Sequence, residues 1–310
     1  IKVIIVKRQD IMNFKYFKYT FILLGFNLIS FAQANILSAK IPEEIGIKTE
    51  AQLLLDNDEP LEYGYVNDRD ILWSKMTWER IVLDERVNFP LYYPIDTNNI
   101  GKERRSLFHV LYTNLKNGNI SRAYDDSYFA RERSTKDLEG SMVKVDTLDI
   151  GYDQLNSEGR VDPEYITKRR IESYDIKEIL IKGLWYFDKR QGELKYRLLA
   201  IAPAAPDVNF IESDDESLKD PIGLFWVFYP EIRDIMHEAK SFNEKNTSIP
   251  ISFDHLLNSR RFNGIIYKEE NVYGDREVKE YVTDNALMQL LESDRLKEKI
   301  RNFEQDMWNY

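Results

Sequence analysis

One segment, residues 179–206, reads ILIKGLWYFDKRQGELKYRLLAIAPAAP and has the clearest β-hairpin pattern in the chain. Its first run ends in three aromatic residues, 185–187, which favour strands. The polar residues 188–192 end in a glycine, which can adopt the positive φ that such a turn requires. From 194 to 198 apolar and charged residues alternate, as in a strand with one buried face.

This hairpin predicts the centre of a sheet. Pro203 and Pro206 end its second run, because proline has no N–H to donate to a neighbouring strand. Helical and extended patterns both flank it. We therefore predict an α+β fold, with an antiparallel or mixed sheet centred on a hairpin near 179–203, flanking helices and a long C-terminal helix.

Hydrophobic spacing and capping residues place the other elements. Helices are predicted at 70–84, 105–116, 230–243, 252–258 and 285–308. Short strands are predicted at 89–94, 120–124, 223–229 and 262–269, with a turn at 272–274. We expect Asp68 or Asp70 to cap the first helix, Ser252 the fourth, and Thr283 or Asp284 the last.

Two parts of the chain resemble each other. FPLYYP at 89–94 is similar to FWVFYP at 225–230, and SLFHVL at 106–111 is similar to SFDHLL at 252–257. An Asn-Gly pair and a predicted strand follow in both parts. One interpretation is a duplicated strand–helix–strand module. The other interpretation, that two α+β segments share only their turn chemistry, stays open.

The composition indicates a folded chain and excludes several kinds of chemistry. Of its 310 residues, 43% are hydrophobic and 13% are aromatic, which allows a substantial core and argues against disorder. The chain has no cysteine, which excludes disulfides, Cys-ligated metals, Cys nucleophiles and a lipid-modified cysteine. Its formal net charge is -10 and its basic run at 168–170 is short, so we predict no nucleic-acid partner.

The first 32 residues have the pattern of a secretory signal peptide. Met12 is the expected start, so residues 1–11 are interpreted as a start-site extension. Two lysines precede an apolar run at 21–29, and small residues end the pattern before Gln33. A membrane anchor is the alternative, but the run is shorter than the roughly 20 residues that a spanning helix needs. We therefore expect an exported, acidic mature protein.

The rest of the chain divides into an arm and a domain. Residues 33–67 are thinly patterned and are predicted to form an extended N-terminal arm. Residues 68–310 are predicted to form the α+β domain. Within it, residues 125–175 are polar and rich in charge, which indicates either a weakly ordered excursion or a helix-bearing insertion.

The three histidines match no metal-binding pattern. His237 and Glu238 begin an H-E-x-x-H pattern, but position 241 is Ser241, so the second zinc ligand is missing. His109 and His255 each lie on a predicted helix among apolar residues, where we expect a packing role. The spacing of the three along the chain also fits no known ligand set.

Acidic clusters are the other candidates for chemistry. They are Asp84-Glu85, Asp125-Asp126 and Asp214-Asp215-Glu216. Two carboxylates can act as acid and base, but only their separation in space decides this. Residues 96–101 resemble a calcium loop, except that apolar residues stand where oxygen ligands are needed. We predict that the chain is not an enzyme and has no catalytic, cofactor-binding or metal-binding residue.

Several long strings identify a family. They are WSK at 73–75, DERVNFPLYYP at 84–94, WYFDKRQGELKYR at 185–197, FWVFYP at 225–230, SFDHLLNSRRF at 252–262, YKEENVYGDR at 267–276 and DMWNY at 306–310. These strings resemble the GldN/PorN family, the gliding-motility and type IX secretion proteins of the Bacteroidetes. The likeness extends from about residue 68 to the end of the sequence, whereas the residues before Met12 depart from the family.

The resemblance implies a structural role in protein secretion and gliding. Members of this family are exported to the periplasm and lie peripheral to the outer membrane. They associate with themselves and with a lipoprotein of the GldK/PorK type in a ring, and they contact the periplasmic part of the GldM/PorM motor protein. The resemblance implies no catalytic residue and no cofactor. The alternative, suggested by the export signal and the acidic clusters, is a periplasmic hydrolase or binding protein acting on envelope glycan or peptide.

Overall fold

The computed structural model describes residues 59–96, 104–243, 251–283 and 285–308. The predicted signal peptide, the first part of the predicted arm and most of the loop at 96–101 lie outside these ranges. Among the described helices, none combines the length and the apolar character needed to cross a membrane.

The strands in chain order are β1 (Ile71–Val82), β2 (Ala123–Tyr124), β3 (Glu132–Arg133), β4 (Val143–Thr147), β5 (Ile166–Arg170), β6 (Glu178–Asp188), β7 (Glu193–Ala205), β8 (Ile222–Gly223), β9 (Val227–Phe228), β10 (Lys240–Ser241), β11 (Ile251–Ser252) and β12 (Ile265–Glu269). The helices are α1 (Phe89–Tyr92), α2 (Leu107–Lys116), α3 (Thr135–Ser141), α4 (Asp149–Glu158), α5 (Arg233–Glu238), α6 (Phe253–Asn258), α7 (Val278–Tyr281) and α8 (Ala286–Trp308).

The predicted hairpin is confirmed as the centre of the main sheet. β6 and β7 pair antiparallel, from Glu178 opposite Ala204 to Asp188 opposite Glu193. The turn between them ends at Gly192, which has a φ of 67° and so uses the conformational freedom of glycine. The sheet order is β12-β1-β6-β7-β8, with β9 also paired to β7. Each of these pairings is antiparallel.

The prediction of a helix at 70–84 was wrong, because this segment forms β1. The strand pairs with β6 along one edge and with β12 along the other. Trp78 and Ile81 point to opposite faces of the sheet, and both are almost fully buried. Apolar residues on two faces lose the period-two alternation and fall at helical spacing. Asp68 and Asp70 therefore cap no α-helix and lie in a 3-10 turn.

The two similar parts of the chain do not adopt the same fold. FPLYYP, predicted as a strand, forms α1, with Pro90 in the first turn, where its missing N–H is tolerated. FWVFYP contributes to β9 and a 3-10 turn, so the strand predicted at 223–229 is reduced to β8 and β9. Ser106 and Ser252 each accept a hydrogen bond from the histidine N–H three residues later. The resemblance therefore reflects shared capping chemistry.

The other predicted elements are present with shorter bounds. α2 and α6 lie within the helices predicted at 105–116 and 252–258. The helix predicted at 230–243 begins as a 3-10 turn and ends at Glu238. The strands predicted at 120–124 and 262–269 are reduced to β2 and β12, and the turn at 272–274 is confirmed.

The long C-terminal helix is confirmed, but its cap is Asn285. The Asn285 side-chain oxygen accepts a hydrogen bond from the Met288 N–H at 3.0 Å, so Thr283 does not cap the helix. Asp284, the other predicted cap, lies outside the described residues.

α8 covers the β12 edge of the main sheet. Leu296 and Ile300 join Ile266 in a buried cluster. The Ser293 hydroxyl accepts a hydrogen bond from the Ile266 N–H at 2.8 Å, which satisfies a donor that an open edge would leave free. Phe303 also stacks on a tryptophan of β1, with ring centroids 4.7 Å apart.

Residues 125–175 contain two helices and a second small sheet. β4 and β5 pair antiparallel, from Val143 opposite Arg170 to Thr147 opposite Ile166. α4 connects the two strands and ends at Gly159, which is left-handed. This segment is therefore an ordered, helix-bearing part of the chain.

Two hydrophobic clusters cover the two faces of the main sheet. The larger cluster joins the sheet to α2, α5 and α6 and includes Ile81, Ile179 and Leu257. The smaller cluster includes Trp78 and Trp226 and lies on what we call the aromatic face. The sheet is therefore packed on both sides, and its polar residues must find partners within those layers or remain unpaired.

Candidate functional site

The structure places the three histidines apart from any metal-binding arrangement. His109 is half-buried on α2, and burial lowers its pKa, with a further contribution from Arg105. His237 lies on α5, and His255 is exposed on α6. Within the described ranges no three His, Asp or Glu side chains converge as a metal site would require.

Members of the acidic clusters serve turns and ion pairs. Asp125 contacts Arg133 at 2.9 Å, and Asp126 accepts a hydrogen bond from the Tyr128 N–H at 2.8 Å. Asp215 accepts one from a backbone N–H two residues later, which stabilises a 3-10 turn. These carboxylates therefore have local structural partners.

Residues 59–67, the described part of the predicted arm, are held against the rest of the fold by two arginines. The Tyr63 ring lies between them, with guanidinium carbons 3.9 Å (Arg233) and 4.5 Å (Arg197) from its centroid. Arg233 donates a hydrogen bond to the Leu61 carbonyl at 2.6 Å, and Arg197 donates one to the Gly64 carbonyl at 3.1 Å. Cation–π contacts and main-chain hydrogen bonds thus fix an extended segment.

The buried carboxylate of Asp254 holds Arg233 in place. Asp254 accepts two hydrogen bonds from Arg233, at 3.0 and 2.9 Å, and one from the Tyr229 hydroxyl at 3.0 Å. Asn258 donates to the same carboxylate at 2.8 Å and accepts from the Tyr63 hydroxyl at 2.9 Å. Burial and then Asp254 raise the pKa of Tyr229 well above its usual value.

We call this group the arm clamp: Tyr63, Arg197, Arg233, Tyr229, Asp254 and Asn258. Every oxygen of its carboxylate has a donor, and both arginines bind main-chain oxygen atoms. The clamp can therefore recognise an extended peptide segment with an aromatic side chain. In this chain that segment is its own arm.

A second polar cluster is centred on Glu79 of β1. Glu79 is fully buried and contacts Arg260 at 2.7 Å. The Arg260 guanidinium lies over Tyr196, 4.2 Å from the ring centroid. Gly183 leaves room for that ring, because a Cβ there would lie 2.2 Å from Tyr196. Burial, followed by Glu79, raises the pKa of the Tyr196 hydroxyl.

Two lysines lie over aromatic rings on the aromatic face. The ammonium groups of Lys182 and Lys268 are each 4.9 Å from the Trp78 ring centroid. Lys182 donates a hydrogen bond to the Ser127 carbonyl at 2.9 Å, and its pKa is lowered by burial and then by Lys268. Tyr128 lies beside both ammonium groups, and burial raises the pKa of its hydroxyl to about 12.

Exposed apolar side chains are concentrated in two parts of the chain, and such concentrations are typical of contacts with other proteins. We call the first the α4 surface; its members are Val145, Leu148, Ile150, Tyr152 and Leu155. The second, at the start of α8, contains Leu287, Met288, Leu290 and Leu291. Ile150 and Leu287 are the most exposed members, at 61% and 65%.

Sequence reasoning did not find the arm clamp or the Glu79–Arg260 pair. The family strings contain Arg197, Asp254 and Arg260, but a string does not show which residues meet. The Tyr63–Asn258 hydrogen bond joins positions 195 apart in sequence. The sequence signal that could have indicated the clamp is Tyr63, an aromatic residue in the thinly patterned segment 33–67.

The comparisons with known proteins agree with the strings. A family model described as gliding motility associated protein GldN matches residues 66–309. This range covers most of the chain and begins within the clamped arm segment. No curated protein matches the chain.

Proposed function

This chain belongs to the GldN family of gliding motility associated proteins, and we propose that it is a non-enzymatic structural subunit of its machinery. Family membership makes it a component of gliding motility and type IX secretion. The match over residues 66–309 is the observation that carries the proposal. The exposed α4 and α8 surfaces support it, since a subunit of an assembly needs surfaces for other proteins.

The proposed place of the subunit is the periplasm, peripheral to the outer membrane. There it forms a ring with an outer-membrane lipoprotein of the GldK/PorK type and contacts the periplasmic part of a GldM/PorM motor protein. Through this ring it supports protein secretion and gliding.

A pull-down tests the proposal. The tagged chain is expressed in a gliding bacterium that lacks its own copy, extracted with mild detergent, sized by light scattering and analysed by mass spectrometry. We expect a megadalton assembly with one dominant lipoprotein at a constant ratio. A monomer without a stable partner would contradict the proposal and favour the periplasmic hydrolase or binding protein.

A further inference from the structure

A cleft opens between β1, β6, β12 and α7, on the aromatic face of the sheet. Its volume is ≈ 210 Å³. We call it the sheet-edge cleft; its lining includes Arg80, Glu178, Leu180, Tyr267, Val278 and Gln289. Three of these side chains are polar groups that belong to strands, so the sheet holds them in place.

Within the described part of the chain, the three strand-borne polar groups have no hydrogen-bond partner. The Arg80 Nε is buried and unpaired. Glu178 forms no ion pair, and burial raises its pKa, with Arg80 only partly offsetting that rise. Burial also raises the pKa of the Tyr267 hydroxyl. Buried polar atoms normally find partners, so the buried Nε of Arg80, with two further unpaired polar groups beside it in the same cleft, points to a ligand.

The strand register explains why Arg80 and Glu178 reach the same space. Arg80 lies opposite Leu180, and Glu178 lies opposite Val82, so the two are diagonal neighbours on one face. The β-carbons of such neighbours are about 7–8 Å apart. Arginine offers only donors, an ionised glutamate offers only acceptors, and a tyrosine hydroxyl offers both.

The charges that line the cleft cancel. Arg80 and Lys279 are cationic, Glu178 and Glu277 are anionic, and Lys279 contacts Glu277 at 3.1 Å. An anionic ligand would approach Glu178, and a cationic ligand would approach Arg80. A neutral group with a donor and an acceptor fits both. Asp220, outside the lining, also raises the pKa of Glu178, which favours a donor at that end.

We propose that the sheet-edge cleft binds a peptide group of a partner protein. The carbonyl oxygen of that group accepts from Arg80, and its N–H donates to Glu178. The arm clamp shows the same chemistry inside this molecule, since Arg233 donates to the main-chain carbonyl of Leu61.

The surroundings of the cleft suit an apolar protein segment. The apolar residues Leu180, Pro221 and Val278 also line the cleft. A peptide whose amide enters the cleft can therefore place neighbouring apolar side chains against these residues. The inference rests on the proposed function for the nature of the ligand, because a subunit of a protein assembly has protein partners.

Nuclear magnetic resonance titrations of the labelled full chain test this assignment. The probes are N-acetyl-leucine N-methylamide, which is neutral, N-acetyl-leucine, which is anionic, and leucine N-methylamide, which is cationic. We expect the neutral probe to shift the backbone signals of Ile265, Ile266 and Val278. The two charged probes should bind about tenfold more weakly, because Glu178 repels the added carboxylate of one and Arg80 repels the added ammonium group of the other.

Two variants keep the test independent of folding. Arg80→Met leaves Glu178 alone, so the preference should move to the cationic probe. Glu178→Met leaves Arg80 without Glu178, so the binding preference should move to the anionic probe. Arg69→Met, at an exposed position before β1, should change nothing. A preference can be read only from a folded protein, so an inverted preference is not a sign of unfolding.

Three outcomes would overturn the assignment. The wild-type chain could bind the anionic probe best, bind the cationic probe best, or show no shift at the cleft with any probe. None of these outcomes changes the expected result of the pull-down, because the pull-down measures assembly with envelope proteins and the titration measures binding at the cleft. The failure of the cleft and the failure of the ring-subunit proposal are therefore distinguishable.

Discussion

The arm clamp and the sheet-edge cleft each contain an arginine, a carboxylate and a tyrosine, and they differ in what these side chains contact. In the clamp, Arg233 and Asp254 form a buried ion pair, and a tyrosine hydroxyl completes the carboxylate's hydrogen bonds. In the cleft, Arg80 and Glu178 lie on neighbouring strands without an ion pair. The clamp already holds a peptide segment, and the cleft has the groups to hold one.

The difference has an energetic consequence. A buried charge that has a full set of partners stabilises the fold relative to the same charge alone, so removing one partner is costly. A buried charge without partners already bears its desolvation penalty, so removing it costs little or relieves that penalty. Substitutions should therefore lower stability in the clamp and spare it in the cleft.

The largest expected effect belongs to the base of the clamp. Asp254→Ala leaves Arg233 and the Tyr229 hydroxyl without their acceptor, so we expect the free energy of unfolding to fall by about 3–5 kcal/mol. Urea denaturation measures this change. Asp234→Ala, at an exposed position on α5, is the matched control and should stay within about 0.5 kcal/mol of the wild type.

A smaller loss is expected when the arm is released. Tyr63→Ala removes two cation–π contacts and one hydrogen bond, which together should cost about 2 kcal/mol. Cleavage of residues 59–67 by a protease should become faster. Tyr65→Ala is the control, because this side chain is 81% exposed. Equal effects of the two substitutions would mean that the clamp does not hold the arm.

In the cleft, a substitution should raise the free energy of unfolding instead of lowering it, and the size of this change should depend on pH. Burial raises the pKa of Glu178, so the folded state holds this proton more tightly than the unfolded chain. Stability from this group is full below the unfolded pKa and is lost as pH rises through the folded pKa. Glu178→Gln should therefore raise the free energy of unfolding at pH 7 and leave it unchanged below about pH 4.

The control for this pH experiment is Glu280→Gln, at an exposed position on α7. It should leave the urea midpoint unchanged at both pH values. A lower stability of Glu178→Gln at pH 7 would show that the carboxylate has a partner in the folded chain. That result would remove the distinction between cleft and clamp.

The smallest effect on stability is expected at the α4 surface. Ile150→Asp should leave the free energy of unfolding within about 0.5 kcal/mol, because the side chain is exposed. In the pull-down, the same variant should reduce the amount of co-purified lipoprotein if this surface contacts it. Asp153→Asn, on the same helix and exposed, is the control. Unchanged recovery with Ile150→Asp would remove the α4 surface from the contact with the lipoprotein.

Local patterns in the sequence predicted the parts of the fold that depend on near neighbours. The hairpin around Gly192 has strand formers on both sides of a turn residue. α2 and α6 begin directly after Ser106 and Ser252, whose hydroxyl groups cap them. The apolar stripe of α8 has the helical period. In each case the residues that decide the element lie within a few positions of one another.

β1 was not predictable in the same way. Its pairing with β6 and β12 joins residues that are far apart in sequence, such as Trp78 with Lys182 and with Lys268. Burial on both faces removed the alternation that marks a strand. The clamp and the cleft could not be predicted for the same reason, since Tyr63 contacts Asn258, and Arg80 comes to lie on one face with Glu178, only after folding. Side-chain pairing across the sheet is a property of the register, which single positions do not encode.

The most direct test of this account compares two arginine-to-methionine substitutions in the full chain. Arg233→Met should lower the free energy of unfolding by about 3 kcal/mol, because Asp254 stays buried without its cation. Arg80→Met should change it by less than about 1 kcal/mol, because this guanidinium has no acceptor to lose. Equal losses in urea denaturation would contradict the account, since they would show that both arginines are needed for folding.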